Sequence, residues 1–290
     1  MLLALSSSLV VAVPAQAPNV SISTRSLKAE TSLNQLSVKD LYHKARTITV
    51  KVFSKEVLGS GILIHRQGSV YTVLTNAHVL IAGDSPYSIQ TPDGHIYRAV
   101  ESLPPTLVQG NDLGILQFSS TNKVYPLASV EASSTLEVGD EVFAAGFPFP
   151  GGASYPPQRK EAKTEFLHPS LPPKTREEKQ EFLLRGRMQG VRGFVFRSGQ
   201  VSLVLHKAIE GGYQIGYTND IEKGMSGGPL LNSQGKVVGI NGMHAYPLWG
   251  DPYVFKDGSH PDQQMQARIT RFSWAIPIET FVQLKQQVQI

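Results

Sequence analysis

The sequence predicts an all-β chain, built as two antiparallel β-barrels with a helix at the C-terminus, and three observations carry that expectation. Its 290 residues include 26 glycines and 19 prolines, a density of turn formers that cuts the apolar runs short. Those runs have strand length and often alternate apolar with polar positions, the period of a half-buried strand. They fall into two clusters of about six, parted near residues 125–138, and a helical pattern follows only at the end.

The elements follow in chain order. Residues 1–17, MLLALSSSLVVAVPAQA, are apolar and end in Ala15-Gln16-Ala17, an A-x-A cleavage pattern; an export signal is expected, delivering the protein to the periplasm or outside a bacterial cell. No Lys or Arg precedes the apolar run, which leaves the true start codon open. Residues 18–38 mix Ser, Thr, Asn and Leu without period and are expected to be a flexible lead-in. The globular unit is expected over 39–285, with the first barrel over about 39–130 and the second over about 136–285. It opens with a short helix and a strand in VKDLYHKARTITVKVFS. A hairpin follows, with strands at Ile62 to Ile64 and Tyr71 to Thr75 around Gln67-Gly68, then a second around Pro92-Asp93-Gly94 and a strand in DLGILQFSS. The second cluster comprises DEVFAAGFP, FVFRSGQVSLVL, GGYQIGYT, GPLLNSQGKVVGING and FSWAIPI, with Asn232 to Gly235 as a hairpin turn. Residues 151–190 interrupt it as a charged, proline-rich insertion, with a short helix expected around Arg176 to Leu184. Residues 278–290 place Phe281, Leu284 and Val288 on one helical face.

Composition narrows the function classes. The formal net charge of +4 is mild and no element carries a dense Lys/Arg stripe, so nucleic acid is not an expected partner. With no cysteine, disulfides, thiolate metal sites and Cys nucleophiles are excluded, and an animal extracellular setting is disfavoured. Beyond the N-terminal run nothing reaches membrane length, so stable membrane insertion is not expected. The segment WGDPYVFKDGSHPD offers oxygen ligands without regular calcium-loop spacing; neither a metal nor another cofactor is expected.

The chemistry centres on KGMSGGPLL, residues 223–231, where three glycines and a proline crowd Ser226. A serine hydroxyl needs a base within hydrogen-bond reach to act as a nucleophile. Of eight histidines, His78 stands apart, placed directly after an apolar strand in VLTNAHVL. Asp112, in GNDLGILQF, precedes a strand in the same way. Each signal is weak alone, since a histidine at a strand end and an aspartate before a strand are ordinarily structural. Together they occur once each, in the order His, Asp, Ser, which distinguishes one convergent solution of the catalytic triad from the others.

On these three motifs, and on GSGILI at 59–64, AAGFP at 144–148, VVGING at 237–242 and SWAIPI at 273–278, the chain resembles the chymotrypsin-like (trypsin-like) serine endopeptidases in their cysteine-free bacterial form. It looks most similar to the periplasmic heat-shock proteases and the glutamyl endopeptidases. The resemblance covers roughly residues 40–285 and implies two six-stranded barrels with the cleft between them. It implies hydrolysis of peptide bonds in protein or peptide substrates, through a triad of His78, Asp112 and Ser226 and an acyl-enzyme. It also implies an oxyanion hole from the backbone N–H groups of Gly224 and Ser226. Asp220, six residues before Ser226, falls where trypsin-like enzymes bind basic side chains; Asn241 and Gly242 fall on the strand against which substrate backbone pairs. Two departures stand out. Met225 replaces the aspartate that digestive relatives pair with a freed N-terminus, so activation by that route is not expected. The sequence ends at Ile290, directly after the unit, so no appended peptide-binding domain is expected; the oligomeric state is not encoded legibly, with a lean toward a monomer.

Two rivals are weighed. The string Gly224-Met225-Ser226-Gly227-Gly228 also fits the G-x-S-x-G elbow of α/β-hydrolases, but Pro229 and a hairpin follow it instead of a helix, and only 64 residues remain for an acid and a base, among them Asp251 and His260. The other is a catalytically silent peptide-binding module on the same fold, which commonly lacks a triad residue.

Overall fold

The computed structural model describes residues 35–54, 57–83, 85–103, 110–149, 193–245 and 253–288. The expected signal peptide, most of the lead-in and the 151–190 insertion lie outside the described residues. The first helix, α1 (Val38–Ile48), begins inside the expected lead-in. Ser37 caps it, accepting the Asp40 N–H on its hydroxyl and donating that hydroxyl to the Asp40 carboxylate at 2.6 Å. Leu41, Ala45 and Ile48, spaced four and three apart, form its buried face.

The first barrel follows: β1 (Thr49–Phe53), β2 (Val57–Gln67), β3 (Val70–Thr75), β4 (Tyr87–Gln90), β5 (Ile96–Leu103) and β6 (Gly114–Ser119), with the short helix α2 (Ala77–Ile81) after β3. The second comprises β7 (Glu141–Gly146), β8 (Val195–Ile209), β9 (Tyr213–Tyr217), β10 (Pro229–Asn232), β11 (Val237–Met243) and β12 (Ser273–Pro277). Helix α3 (Gln263–Ile269) precedes β12 and α4 (Ile278–Val288) follows it. Each barrel closes, with strand orders β1-β2-β3-β6-β5-β4 and β10-β11-β12-β9-β8-β7. Read as rings, the two have the same neighbours: first beside second, second beside third, third beside sixth, and so back to the first. This is the all-β, paired six-stranded architecture that the sequence predicts.

Strand alternation distributes the side chains between three cores. Val73 on β3 points into the first barrel with Val50, Leu63 and Leu116, while its neighbour Leu74 joins a separate cluster. Val142, Ile215, Leu230 and Ala275 fill the second barrel. The separate cluster draws Ile62 and Ile115 from one barrel, Phe143, Leu231 and Trp274 from the other, and the apolar faces of α1 and α4, including Phe281 and Leu284. Every residue of β12 is therefore buried, on one face in its own barrel and on the other in this shared layer. Trp274 anchors it: the side chain is fully buried, lies against Gly216, and donates its indole N–H to the Ile269 carbonyl at 3.1 Å. Trp274→Ala is expected to lower stability by about 3–5 kcal/mol, as truncation of a buried aromatic does. Urea unfolding followed by circular dichroism checks this, and a midpoint unchanged from wild type would remove Trp274 as the anchor.

Helix α3 is not among the elements that the sequence predicts. Asp262 caps it, its carboxylate accepting the Met265 N–H at 2.7 Å, which is a local signal that the loop-like composition around it concealed.

Candidate active site

Asp112 leads into β6, and its carboxylate gathers three donors. One oxygen, Oδ1, accepts the backbone N–H of His78 at 2.8 Å. The other, Oδ2, lies 2.6 Å from His78 Nδ1 and also accepts the hydroxyl of Tyr213. His78 sits on the first turn of α2 rather than at the strand end itself, because the chain turns helical after Asn76. Asn76 is buried and donates its amide to the Asp112 carbonyl at 2.8 Å, so the backbone and the side chain of Asp112 are both tied to the Asn76–His78 corner. The imidazole is about half exposed and the carboxylate much less so, with side-chain exposures of 47% and 16%. The ring is therefore open to solvent while its partner stays behind it.

Ser226 comes from the second barrel. Gly224, in the same loop, has φ +96, a conformation disfavoured for any side chain, and a Cβ there would meet the Phe147 carbonyl oxygen at 2.5 Å. The loop is pinned from the first barrel by Ser60. Its N–H donates to the Ser226 carbonyl at 2.8 Å, its hydroxyl donates to the Gly224 carbonyl at 2.7 Å, and that hydroxyl accepts the Phe147 N–H at 2.8 Å. The Met225 N–H turns inward to the Glu222 carbonyl, and the Met225 side chain is fully buried. Among the described residues the N–H groups on either side of it, of Gly224 and Ser226, have no hydrogen-bond partner. The Ser226 hydroxyl donates to the Gly242 carbonyl at 3.3 Å, a long contact.

The structure brings the two halves of the site together through neighbours. Gly59 lies between Val79, next to His78, and the Ser226 carbonyl. Gly242, which receives the Ser226 hydroxyl, lies against the Tyr213 hydroxyl that bonds Asp112. The segments that carry His78 and Ser226, 148 positions apart in the chain, are thus linked through shared neighbours. Residues 59–240, well over half of the chain, match the family described as "Trypsin-like peptidase domain". The chain belongs to the trypsin-like peptidase family. Curated relatives are more distant. HhoA of Synechocystis sp., named provisionally as a serine protease, is 27% identical over 183 residues, which is 63% of this chain and 36% of that protein. The serine protease Do-like HtrA of Bacillus subtilis is 29% identical over 186 residues, 64% of this chain and 33% of the relative. The match thus spans about a third of the length of these relatives.

Within this trypsin-like unit the other expected site residues separate. Asp220 is exposed as a residue, yet its carboxyl is partly desolvated. Burial pushes it above the usual carboxylate range and Glu222 adds to this, while Arg197 and His244 pull it down. Arg197 itself pairs with Glu222 at 2.6 Å. Asn241, expected on the strand that pairs with substrate, has its polar atoms committed within the second barrel. It is fully buried; its amide donates to the Pro229 and Ala145 carbonyls at 3.0 and 3.3 Å and accepts the Tyr217 hydroxyl at 2.8 Å. Its backbone N–H and carbonyl are bonded to Gly228 and Gly227. Its polar atoms therefore serve the barrel, and the partly exposed positions of that strand begin at Gly242. Ser60, Asn76 and Tyr213 were not singled out from sequence. Ser60 does lie in the GSGILI motif, but the glycines around it gave no hint of a pin across the barrels. Among the described residues no group of three or more His, Cys, Asp or Glu is placed to hold a metal, and no helix is long and apolar enough to cross a membrane.

Proposed function

We propose that the chain is a serine endopeptidase whose triad is His78, Asp112 and Ser226. The observation that carries this reading is the 2.6 Å contact between His78 Nδ1 and Asp112 Oδ2, with the His78 N–H held by the same carboxylate. A carboxylate at Nδ1 keeps the proton there and leaves Nε2 as the free base. In the reaction, Ser226 Oγ leaves the Gly242 carbonyl, passes its proton to His78 Nε2 and bonds to the substrate carbonyl carbon. The imidazolium, stabilised by Asp112, then returns the proton to the departing amine, leaving an acyl-serine. Water, deprotonated by His78, attacks the acyl carbon, releases the acid and regenerates the Ser226 hydroxyl. The unpartnered N–H groups of Gly224 and Ser226 are the donors for the oxyanion, each typically contributing on the order of 3 kcal/mol.

Substrates are protein or peptide segments, drawn into the cleft beside Gly242 by strand pairing. The catalytic unit is residues 39–285, and the A-x-A pattern at 15–17 supports export to the periplasm or beyond. Asp220 is the proposed reader of basic side chains. With it in that role, kcat/KM on an Arg peptide exceeds that on matched Leu and Glu peptides, and Asp220→Asn erases the preference, by about tenfold or more. Equal rates on the three peptides would end the role of Asp220. The triad reading is tested directly with a serine-directed phosphonate followed by peptide mass mapping. Labelling confined to Ser226 supports it; an unlabelled, natively folded chain would make the silent peptide-binding module the better reading.

A further inference from the structure

We propose that Tyr213 is a positioning residue for the Asp112–His78 pair, a phenol from the second barrel that locks the aspartate of the first. Its functional meaning rests on the peptidase reading above; the contact itself does not.

Tyr213 opens β9 and is only 4% exposed. Its hydroxyl donates to Asp112 Oδ2, the oxygen that also faces His78 Nδ1. Burial, reinforced by the Asp112 charge, pushes the phenol well above the usual tyrosine range, so it remains protonated and donates. The same corner grips the backbone, for the Asp112 N–H donates at 2.8 Å to the carbonyl of Gly211, two residues before Tyr213. Gly242 supplies the room: a Cβ on it would clash with the Tyr213 hydroxyl oxygen and lie 2.7 Å from ring carbon Cε1. The residue beside which substrate is expected to run thus lacks a side chain where the phenol needs the space.

The consequence is mechanical. With two contacts to His78 alone, the carboxylate could turn or shift with α2, since both partners lie on that one segment. The third donor comes from the opposite barrel, so it fixes the plane of the carboxylate against the body that also carries Ser226. Being buried behind Asp112, the phenol acts through the aspartate and His78, and its loss should register in kcat more than in KM.

The test compares Tyr213→Phe with Tyr217→Phe in the full chain. Tyr217 is another buried tyrosine of β9, whose hydroxyl bonds Asn241 instead. Two readouts are taken: the low-field Nδ1 proton resonance of His78, assigned by its loss in His78→Ala, and kcat and KM on a peptide substrate. The expected result is that Tyr213→Phe moves the resonance and lowers kcat about ten- to hundredfold, the range of one hydrogen bond to a charged group. Tyr217→Phe loses stability but leaves the resonance in place. An unmoved resonance with unchanged kcat in Tyr213→Phe, or an equal displacement in Tyr217→Phe, would overturn the proposal. Should the wild type not cleave peptides, the peptidase reading falls, while the resonance still decides whether Tyr213 holds Asp112.

Discussion

Replacing Ser226 by alanine is expected to lower hydrolysis of casein or a peptide by roughly 10⁴- to 10⁶-fold, the usual cost of removing a triad nucleophile. The size follows from the division of labour in the site. Without Oγ no acyl-enzyme forms, and His78 can at most activate water in a geometry built for a serine. Residual turnover would come from the oxyanion donors and binding alone. The fold should be indifferent to the change, because among the described residues the hydroxyl makes a single 3.3 Å contact, to the Gly242 carbonyl, while the loop is held by Ser60. A melting temperature close to wild type, beside a collapse in kcat and the loss of phosphonate labelling, is the full signature. If the alanine variant hydrolyses peptide as fast as wild type, Ser226 is not the nucleophile.

Asp112→Asn is expected to lower kcat by about 10⁴-fold through the tautomer of His78. An asparagine offers one acceptor oxygen where the carboxylate has two, and Asp112 serves three donors: the His78 N–H, His78 Nδ1 and the Tyr213 hydroxyl. Its amide nitrogen must face one of them. If it faces Nδ1, the ring carries its proton on Nε2 and no longer presents a base to Ser226. If it faces the backbone, the His78 N–H loses its partner. The second effect also costs stability, about 1 kcal/mol for a lost hydrogen bond at an exposed residue. Stopped-flow hydrolysis and a thermal melt separate the two, since the rate loss far exceeds anything a small unfolded fraction could cause. A kcat within tenfold of wild type would show that Asp112 does not orient the base.

Much of this molecule was legible along the chain. Hairpin turns at Gln67-Gly68 and Asn232 to Gly235 announce themselves by residue type, because turn geometry is local. The candidates His78, Asp112 and Ser226 stood out because each sits in a short run with its own chemistry, next to a strand strong enough to be read by eye. The Asp262 cap is equally local, but the residues around it have the composition of a loop and mask the helix it starts.

The rest was settled by distance in space. Period-two alternation at Val73 and Leu74 says that both faces of β3 are apolar, but not that one fills a barrel and the other the layer between barrels. Asn241 reads from sequence as part of the strand against which substrate backbone pairs; only closure of the second barrel, which brings Tyr217, Pro229 and Ala145 around it, commits its amide inward. Ser60 bonds Gly224 across 164 positions and Tyr213 bonds Asp112 across 101. The sequence by itself determined which segments are strands, where they turn and which three side chains could do the chemistry, since those depend on period, turn residues and functional groups. The tertiary structure alone decided which donors restrain those side chains, because partners so far apart in the chain meet only when two barrels close against each other.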